Sequence, residues 1–391
     1  MANAGSSSGA RHVAHLASGD LWAGAESMVF NLVCEQRRAG CYIPYVILLN
    51  DGVLAQRLRN AGVTVTVFPE SELRFVEVLR KIRAELRRSS PAIVHTHRQK
   101  ENILGATAAS LCGRIPSVRT EHGCPEHHAS LGQPRRILQT YLDRWVGRHV
   151  QSRIVAVSRD LAERLAKVYP RERIRTITNG LDIEYVRRLA SLDSSELRAP
   201  APSFRIAIVG RLVSVKRHDI FLQVAALLET QSPGVFSFYV MGDGPLRAEL
   251  ESSEWAKNPH LTFLGFRPDA LALLASMDAL VMTSDHEGTP MVALEAMALG
   301  VPVVARKTGG LAAILDGGCG VLVDSEDISQ LASALQRLRQ DLEARRTIAS
   351  LATARVASRF SVAHMSEAYA AVYDELALAH ANSISTGHSL R

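Results

Sequence analysis

Short runs of apolar, β-favouring residues alternate with longer stretches of helical period along almost the whole chain of 391 residues. Each run is bounded by polar residues or glycine and is too short to form a helix, which is typical of a buried strand. The clearest runs are 45–49, 63–68, 92–97, 153–158, 204–210, 236–242, 279–284 and 301–305. Strands separated by segments of helix length indicate parallel sheets with helices on both faces.

The strands fall into two series, which predicts two domains, since a domain typically has about 100–200 residues. Between the series, residues 191–203 are polar, rich in Ser, Ala and Pro, and without an apolar period, as expected of a linker. We therefore predict an N-terminal domain over residues 1–190 and a C-terminal domain over residues 204–360. The first ten residues and the tail 381–390 are predicted to be disordered.

Composition narrows the class of protein. With 47% hydrophobic and 21% charged residues, the chain is typical of a globular protein. No apolar run reaches the roughly 18–20 residues of a membrane span, and the first residues lack a hydrophobic segment suited to secretion, so we expect a cytoplasmic protein. The five cysteines are scattered without any C-x-x-C pair, which disfavours a disulfide framework and a structural zinc site. The net charge of +6 suits nucleotide phosphates, an acidic membrane face or nucleic acid.

Residues 284–305, SDHEGTPMVALEAMALGVPVVA, hold two carboxylates around a predicted helix start. Thr289 followed by Pro290 indicates that start, because a Thr hydroxyl caps a free N–H and Pro suits the first helical position. Free N–H groups in a first turn attract phosphate. Since Glu287 and Glu295 repel phosphate, they are better suited to accept hydrogen bonds from sugar or ribose hydroxyls. The alternative is that both are solvated acids on the helix surface.

Two further loops follow predicted strands. Gly210 ends one strand, and Arg211 and Lys216 lie in the loop after it, where two cations suit a diphosphate. The stretch 240–250, VMGDGPLRAEL, forms a second glycine-bearing turn. It departs from the dinucleotide fingerprint, because Arg247 stands where the third glycine would be. A nicotinamide-binding domain is therefore disfavoured.

The order of GRLVSVK, GDGPL, LGF, HEGTPMVALEAMALGVPVVA and TGG resembles the retaining glycosyltransferases of family four, whose mark is two glutamates separated by seven residues. In the N-terminal half, WAGAES, HTHRQKENILG and TEHG match that family in the same order. The similarity covers nearly the whole chain. It implies the α/β GT-B fold, in which two Rossmann-like domains with parallel sheets face each other and a C-terminal helix, here 361–379, crosses back to the N-terminal domain.

The resemblance also implies roles in binding a nucleotide-sugar donor. Arg211 and Lys216 would bind the diphosphate, and Glu295 the ribose hydroxyls. Glu287 would hold the transferred sugar. The backbone beside it would hold the sugar and its distal phosphate, and comprises Gly288, Thr289, Pro290, Met291 and Val292.

The remaining implied contacts lie elsewhere in the chain. Backbone groups near Phe266 and Arg267 would read the base edge. Gly24 would let the N-terminal loop approach the phosphates, although Ala23 stands where many relatives have a second glycine. His122 would hydrogen-bond the donor sugar from the opposite domain. The candidate catalytic residues are Glu287, His122, Arg211 and Lys216, and Gly210 completes the donor-binding set.

We expect no metal and no cofactor. The chain contains no D-x-D, the carboxylate pair that commonly holds a divalent ion on a nucleotide diphosphate. Arg211, Lys216 and a helix N-terminus can neutralise the leaving group instead. His95 and His97 are expected to be structural or to face the acceptor rather than to bind a metal.

Residues 133–153 mix arginines with leucine, tyrosine and tryptophan. This pattern suits a basic amphipathic helix on an anionic membrane. A helix packed on the core, with a charged outer face, explains it equally well.

The resemblance, together with the absence of a D-x-D motif, implies a retaining, metal-independent hexosyltransferase that moves a sugar from a UDP- or GDP-linked donor to an acceptor hydroxyl. The acceptor is expected to be a saccharide or lipid-linked saccharide of an envelope polysaccharide, bound by the N-terminal domain. One alternative is a nucleotide-sugar epimerase of the same fold, and another is a non-catalytic sugar-nucleotide binder. Nucleic acid is not an expected partner, because the sequence has neither an RNA-stacking nor a DNA-reading motif.

Overall fold

The structure is a computed structural model that describes residues 11–20, 22–123, 134–192, 203–324 and 327–388. Its internal contacts divide the chain into two units. The first unit contains the described residues up to His122, the segment that ends at Gly180, and the C-terminal helix from Val362. The second unit contains the described residues of Leu181–Ser361 and Gly123.

The first unit is built on a seven-stranded sheet whose strands pair in parallel. The strands are β1 (Arg11–Ala17), β2 (Tyr42–Leu48), β3 (Thr64–Val67), β4 (Ile93–Thr96), β5 (Ser117–Glu121), β6 (Arg153–Ala156) and β7 (Ile174–Thr176). Their order is β3-β2-β1-β4-β5-β6-β7. The direction of winding therefore reverses between β1 and β4, and in open α/β sheets ligands bind beside the carboxyl ends of strands at such a switch point.

Helices connect these strands, as parallel pairing requires. They are α1 (Gly24–Ala39), α2 (Val53–Asn60), α3 (Phe75–Ser89), α4 (Gln99–Ser110), α5 (Pro134–His149) and α6 (Arg159–Leu165). The apolar stripe of α3, with Ile82 and Leu86 fully buried, packs with Leu104 of α4 and Val94 of β4 in one core cluster.

The second unit has a six-stranded sheet with parallel pairing and the order β10-β9-β8-β11-β12-β13. Its strands are β8 (Phe204–Val209), β9 (Phe236–Met241), β10 (Leu261–Gly265), β11 (Ala279–Met282), β12 (Val303–Arg306) and β13 (Val321–Val323). Its helices are α7 (Ile183–Ala190), α8 (His218–Gln231), α9 (Arg247–Glu251), α10 (Ala270–Ala275), α11 (Met291–Ala298), α12 (Leu311–Ile314), α13 (Ile328–Gln340) and α14 (Leu342–Arg359). The switch point of this sheet lies between β8 and β11.

The last helix, α15 (Val362–His388), follows the second unit in sequence but belongs to the first. It packs on α1, and its Tyr369 and Tyr373 are among the largest fully buried side chains of the described residues. Tyr42 of β2 donates a hydrogen bond to Asp374 at 2.7 Å. The predicted crossing helix is thus present. The prediction of a disordered tail is wrong for residues 381–388, which continue the helix.

Each strand named from the sequence is present, with bounds that differ by a few residues. The division into units falls after Gly180, earlier than the expected boundary at residue 190, because α7 packs against α10 and α11 of the second unit. Most of the proposed linker and the first ten residues lie outside the described part of the chain. Among the described helices, none has both the length and the apolar character that crossing a bilayer demands.

Candidate active site

The loops after β8 and β11 meet at the switch point of the second unit. The loop after β8 carries Gly210 and Arg211 and ends in the single 3-10 turn Ser214–Lys216. The loop after β11 covers residues 283–290 and leads into α11. Because β8 and β11 are parallel neighbours, both loops leave the sheet at the same edge.

Lys216 and Glu287 form an ion pair between these two loops. Lys216 Nζ lies 2.7 Å from Glu287 Oε1, and Ser284 Oγ donates to the same oxygen at 2.6 Å. Only 8% of Glu287 is exposed, so it is not the solvated surface acid of the alternative interpretation. Since a lysine ammonium has three N–H donors, Lys216 keeps donors for a second anion.

Backbone contacts hold the two loops together. Thr283 Oγ1 shares its single proton between the carbonyl oxygens of Lys216 and Arg217, which lie 2.9 and 2.8 Å away. The backbone N–H of Asp285 donates to the carbonyl oxygen of Val215 at 2.9 Å. Hydrogen bonds between the two loops therefore fix the relative positions of the residues that form the ion pair.

Two arginines at this edge are already engaged with carboxylates. Asp285 accepts hydrogen bonds from Arg217 at 3.2 Å and from the buried Arg306 at 2.8 Å. Arg217 also donates to Asp219, and this hydrogen bond raises the pKa of Arg217. These arginines therefore fix loop geometry, and the prediction that Arg211 and Lys216 bind a diphosphate rests on the sequence motif.

The TGG segment after β12 fixes the backbone of Glu287. Gly310 N donates to the Glu287 carbonyl oxygen at 2.9 Å, and Thr308 Oγ1 donates to that of Ser284 at 3.1 Å. A Cβ on Gly309 would lie 2.1 Å from the Glu287 carbonyl oxygen, and Gly309 has a φ of +47°. Only glycine fits there without moving the segment that holds Glu287.

The start of α11 differs from the sequence prediction. The helix begins at Met291, with Pro290 at the N-cap, and no described side chain caps it. Pro290 has a ψ of 122°, so it is extended rather than helical, and it takes the N-cap position that the sequence assigned to Thr289. The N–H groups of Met291 and Val292, four and five positions after Glu287, occupy first-turn positions that have no intrahelical partners, and such groups suit an anion. Glu295 lies within α11 and is partly exposed.

Phe266 and Arg267 directly follow β10, two strands away from β8 in the sheet order. Phe266 is 55% exposed. Arg267 donates to both carboxylate oxygens of Asp269, at 2.7 and 2.6 Å, and this interaction lowers the pKa of Asp269. Because these two hydrogen bonds engage the Arg267 side chain, the backbone at Phe266 and Arg267 is the better candidate for recognising a base.

Gly24 and His122 belong to the first unit. Gly24 is the first residue of α1, after Ala23, which provides no side-chain cap. In the first turn of α1, Glu26 is buried and pairs with Arg98, and burial raises the pKa of Glu26. His122 follows β5, and burial of its ring lowers its pKa to about 3, so the ring is neutral at physiological pH.

Of the sequence-predicted residues, Lys216 and Glu287 are joined by a direct contact, and Gly210, Arg211 and the residues 288–292 lie in the same pair of loops or directly after them. Sequence reasoning missed Ser284, which lies inside the quoted motif three positions before Glu287, and the role of Gly309, whose only signal was the TGG motif. Neither the residue type nor the spacing of Asp285 and Arg306 indicated from the sequence that they belong to the site.

Two family profiles match the chain. Residues 22–185 match the family described as Glycosyltransferase Family 4, and residues 203–341 match glycosyl transferases group 1. The D-inositol 3-phosphate glycosyltransferase of Paenarthrobacter aurescens is 28% identical over 303 residues, 73% of each chain. The UDP-Gal:alpha-D-GlcNAc-diphosphoundecaprenol alpha-1,3-galactosyltransferase of Escherichia coli is 28% identical over 325 residues, 81% of each chain.

Among solved structures, Anabaena HepE in complex with UDP-glucose superposes with a TM-score of 0.79. The two chains are 25% identical, and the match covers 93% of this chain and 100% of that one. Together with the two parallel sheets, this similarity confirms the GT-B fold predicted from the sequence.

Proposed function

The chain belongs to glycosyltransferase family 4, and we propose how this glycosyltransferase of glycan or polysaccharide biosynthesis acts. It transfers a sugar from a nucleotide diphosphate donor that the second unit holds. The transfer retains the anomeric configuration and needs no metal. The observation that carries the proposal is the contact between Lys216 and Glu287 at the switch point of the second sheet. The cation and the buried carboxylate are in contact where α/β sheets bind their ligands, and the loop that carries Glu287 leads into the N-terminus of α11.

Each part has a distinct role towards the donor. Lys216 and Arg211 stabilise the charge that grows on the departing diphosphate, an electrostatic contribution that typically accounts for a factor of about 100–1,000 in rate per donor group. Glu287, held through Oε1 by Lys216 and Ser284, accepts hydrogen bonds from the hydroxyls of the transferred sugar. The N–H groups of Met291 and Val292 bind the distal phosphate.

The other predicted residues complete the site. Glu295 binds the ribose hydroxyls, and backbone groups near Phe266 and Arg267 read the base. Gly24 approaches the phosphates, and His122 binds the donor sugar from the first unit.

We infer that the reaction runs on one face of the sugar. The acceptor oxygen bonds to the anomeric carbon on the side from which the diphosphate leaves, the bond from that carbon to the phosphate oxygen breaks, and the acceptor proton passes to the departing phosphate. Bond formation on the same face retains the anomeric configuration. In this scheme Arg211 and Lys216 act on the transition state more than on the bound substrate, so they increase kcat.

The similar proteins support a choice of substrates. HepE is named in complex with UDP-glucose, and the Escherichia coli relative is named for transfer from UDP-Gal to a sugar on a lipid diphosphate. We therefore propose a UDP-sugar donor, with GDP as the alternative base, and a saccharide acceptor carried on a lipid diphosphate. The enzyme would act in the cytoplasm, at the inner face of the membrane that holds such an acceptor.

The exposed face of α5 supports contact with that membrane. Leu138, Tyr141 and Trp145 are 58%, 68% and 50% exposed, and Arg144 and Arg148 are exposed on the same helix. The opposite face packs inward, since Val146 is buried and Asp143 pairs with Arg119 at 3.1 Å. Exposed aromatic and leucine side chains among arginines suit the headgroup region of an anionic bilayer.

Vesicle sedimentation tests this membrane contact. We expect binding to phosphatidylglycerol vesicles, weaker binding to phosphatidylcholine, and a several-fold loss in a variant with Tyr141→Ser and Trp145→Ser. Leu378→Ser, at a 59% exposed position of α15, is the matched control and should bind normally. Equal binding of both variants would contradict the assignment to α5.

A donor panel tests the proposed reaction. UDP- and GDP-sugars are offered with an N-acetylglucosamine diphosphate that carries a short alkyl chain, and the anomeric configuration of the product is read by NMR. We expect an α-linked product from an α-linked donor and unchanged turnover in the presence of a chelator. Inversion, or activity that a chelator abolishes and magnesium restores, would contradict the mechanism. An epimer formed from the donor alone would favour the epimerase alternative.

A further inference from the structure

Four histidines cluster at the switch point of the first unit. His15 lies in β1, His95 lies in β4, His97 follows β4 directly, and His122 follows β5. His15 and His95 are fully buried, and His97 is 2% exposed. The rings of His97 and His15 stack at 5.4 Å, and those of His97 and His122 at 5.7 Å. The functional assignment above leaves His15, His95 and His97 without a role.

A chain of hydrogen bonds fixes the tautomers of these rings. His15 Nε2 lies 2.9 Å from Gln36 Oε1, and since an amide oxygen only accepts, His15 carries its proton on Nε2. Its Nδ1 is then an acceptor, and it lies 3.1 Å from His97 Nε2, which must donate. The neutral His97 ring therefore has a lone pair on Nδ1.

The hydrogen bonds continue from Gln36 to the tyrosines of the C-terminal helix, with each donor and acceptor in the same order along the series. Gln36 Nε2 donates to Tyr373 Oη at 3.4 Å, and Tyr373 Oη lies 2.6 Å from His95 Nδ1. His95 Nε2 then donates to Thr120 Oγ1 at 2.8 Å, and Thr120 lies 2.8 Å from Tyr369 Oη. Gln36 is the branch point, because its oxygen and its nitrogen face the two different halves.

Within this histidine cluster, three buried ring nitrogens have no hydrogen-bond partner among the described residues: His97 Nδ1 and both nitrogens of His122. Buried polar atoms in proteins are nearly always paired, so such a group calls for an explanation, and an unoccupied ligand site is one. The position supports a ligand, because both residues directly follow the carboxyl ends of neighbouring strands, one of them at the switch point.

The chemistry of the cluster favours a hydroxyl over a metal. The potential ligand atoms of His15, His95 and His97 lie within 4.8 Å of one another. Yet the two nitrogens of His15 and of His95 already take part in hydrogen bonds, and His97 would have to give up the proton it shares with His15. Burial lowers the pKa of all three, which keeps the rings neutral and the lone pair on His97 available.

We propose that His97 Nδ1 accepts a hydrogen bond from a hydroxyl of the sugar acceptor, and that Gln36 is a positioning residue that holds His97 in the tautomer able to do so. The inference rests on the proposed function, since it names the contact of the first unit with that acceptor. It also gives the tyrosines of α15 a role, because they close the hydrogen-bond chain that orients Gln36.

Nitrogen NMR of histidine-labelled protein tests the tautomer without any substrate. The His97 signals are assigned by their loss in His97→Phe. We expect His97 to be protonated on Nε2 only in the wild type, and Gln36→Leu to give a mixture of tautomers. Gln56→Leu, at an exposed position of α2, is the control and should leave the signals unchanged. A proton on Nδ1 of His97 in the wild type overturns the proposal. The proposal is also overturned if added zinc binds in equimolar amount and removes the N–H signals of His15 and His97.

Transfer assays with the alkyl N-acetylglucosamine diphosphate test the contact. His97→Phe should increase the KM for this acceptor about tenfold, the range of one lost hydrogen bond, while the Kd for UDP and the slow hydrolysis of the donor stay within twofold. His97→Asn, whose carbonyl oxygen can take the place of Nδ1, should recover part of the loss. An unchanged KM in His97→Phe overturns the proposal.

Failure of the proposed function gives a different result. In that case the wild type itself transfers no sugar to any acceptor of this class. The acceptor analogue is then replaced by methyl glycosides added to the NMR sample. A change at His97 Nδ1 still supports a hydroxyl contact, and saturation of the protein without such a change overturns it.

Discussion

Replacing Lys216 with Met separates a catalytic cation from a structural ion pair. The change keeps the length of the side chain and removes the charge that lies 2.7 Å from Glu287 Oε1. The Glu287 carboxylate, which is 8% exposed, then keeps one hydrogen bond within the described part of the chain, the one from Ser284. An uncompensated carboxylate in a buried site is destabilising, by up to about 3–5 kcal/mol for a fully buried pair.

The magnitude here should be smaller. Lys216 is 26% exposed, so water reaches the pair and stabilises the remaining carboxylate. We expect a loss of about 2 kcal/mol, which is within the cost of leaving a charged group without its hydrogen bond. The melting temperature of the second unit should fall by several degrees, at about 2–4 °C per kcal/mol. If Lys216 stabilises the departing diphosphate, kcat should fall about 100- to 1,000-fold, far beyond the effect of partial unfolding.

The double variant Lys216→Met with Glu287→Gln decides between the two roles. Because it removes both charges, it should recover most of the lost stability, while kcat remains well below that of Glu287→Gln alone, which isolates the contribution of Lys216 to turnover. Lys307→Met is the matched control, since Lys307 pairs with Asp324 at 3.0 Å on the exposed surface of the same unit. Stability is measured by thermal denaturation and kcat by release of UDP. Recovery of both stability and turnover in the double variant would refute the catalytic role.

Three further predictions follow from the same geometry. Gly309→Ala places a Cβ where the Glu287 carbonyl oxygen now lies, so kcat should fall by about 100-fold, and an active variant in a UDP-release assay would show that the position of Glu287 is not critical. Glu287→Gln should lower kcat, whereas Glu295→Gln should mainly weaken binding of UDP; calorimetry and kinetics on both variants would expose a reversed assignment. Burial raises the pKa of Glu101 to about 7 from 4.5. The contribution of Glu101 to stability is therefore present below pH 4.5, and roughly 3 kcal/mol of it is lost as the pH rises through 7. A Glu101→Gln variant whose denaturation depends on pH in the same way as that of the wild type would contradict this.

Much of the fold was predictable because the apolar runs of parallel strands are bounded by polar turns. Three of the strands that were not named from periodicity, β5, β7 and β13, carry a weaker pattern. In β5, SVRTE includes a buried arginine and a glutamate, and β7 and β13 have three residues each. Such strands are defined by their neighbours in the sheet, and a single sequence does not contain that information.

The candidate site was predictable in residue type but not in arrangement. Glu287 and Lys216 were named because their motifs are distinctive, whereas their direct contact depends on two loops that are distant in sequence. The start of α11 was placed one residue early, because Thr and Pro suit a cap and a first position in general, but the backbone here is extended at Pro290. The partners of the histidine cluster, Gln36 and Tyr373, lie far apart in sequence and had no signal at all.

The most direct test of the central claim, a nucleotide diphosphate site on the second unit, is calorimetric titration of UDP against the wild type and Arg211→Ala. The account predicts one UDP per chain for the wild type. It also predicts binding at least tenfold weaker for Arg211→Ala, since a cation that contacts a diphosphate contributes a charge-assisted hydrogen bond. Equal affinity of the two proteins, or no saturable binding of UDP or GDP to the wild type, would contradict the account.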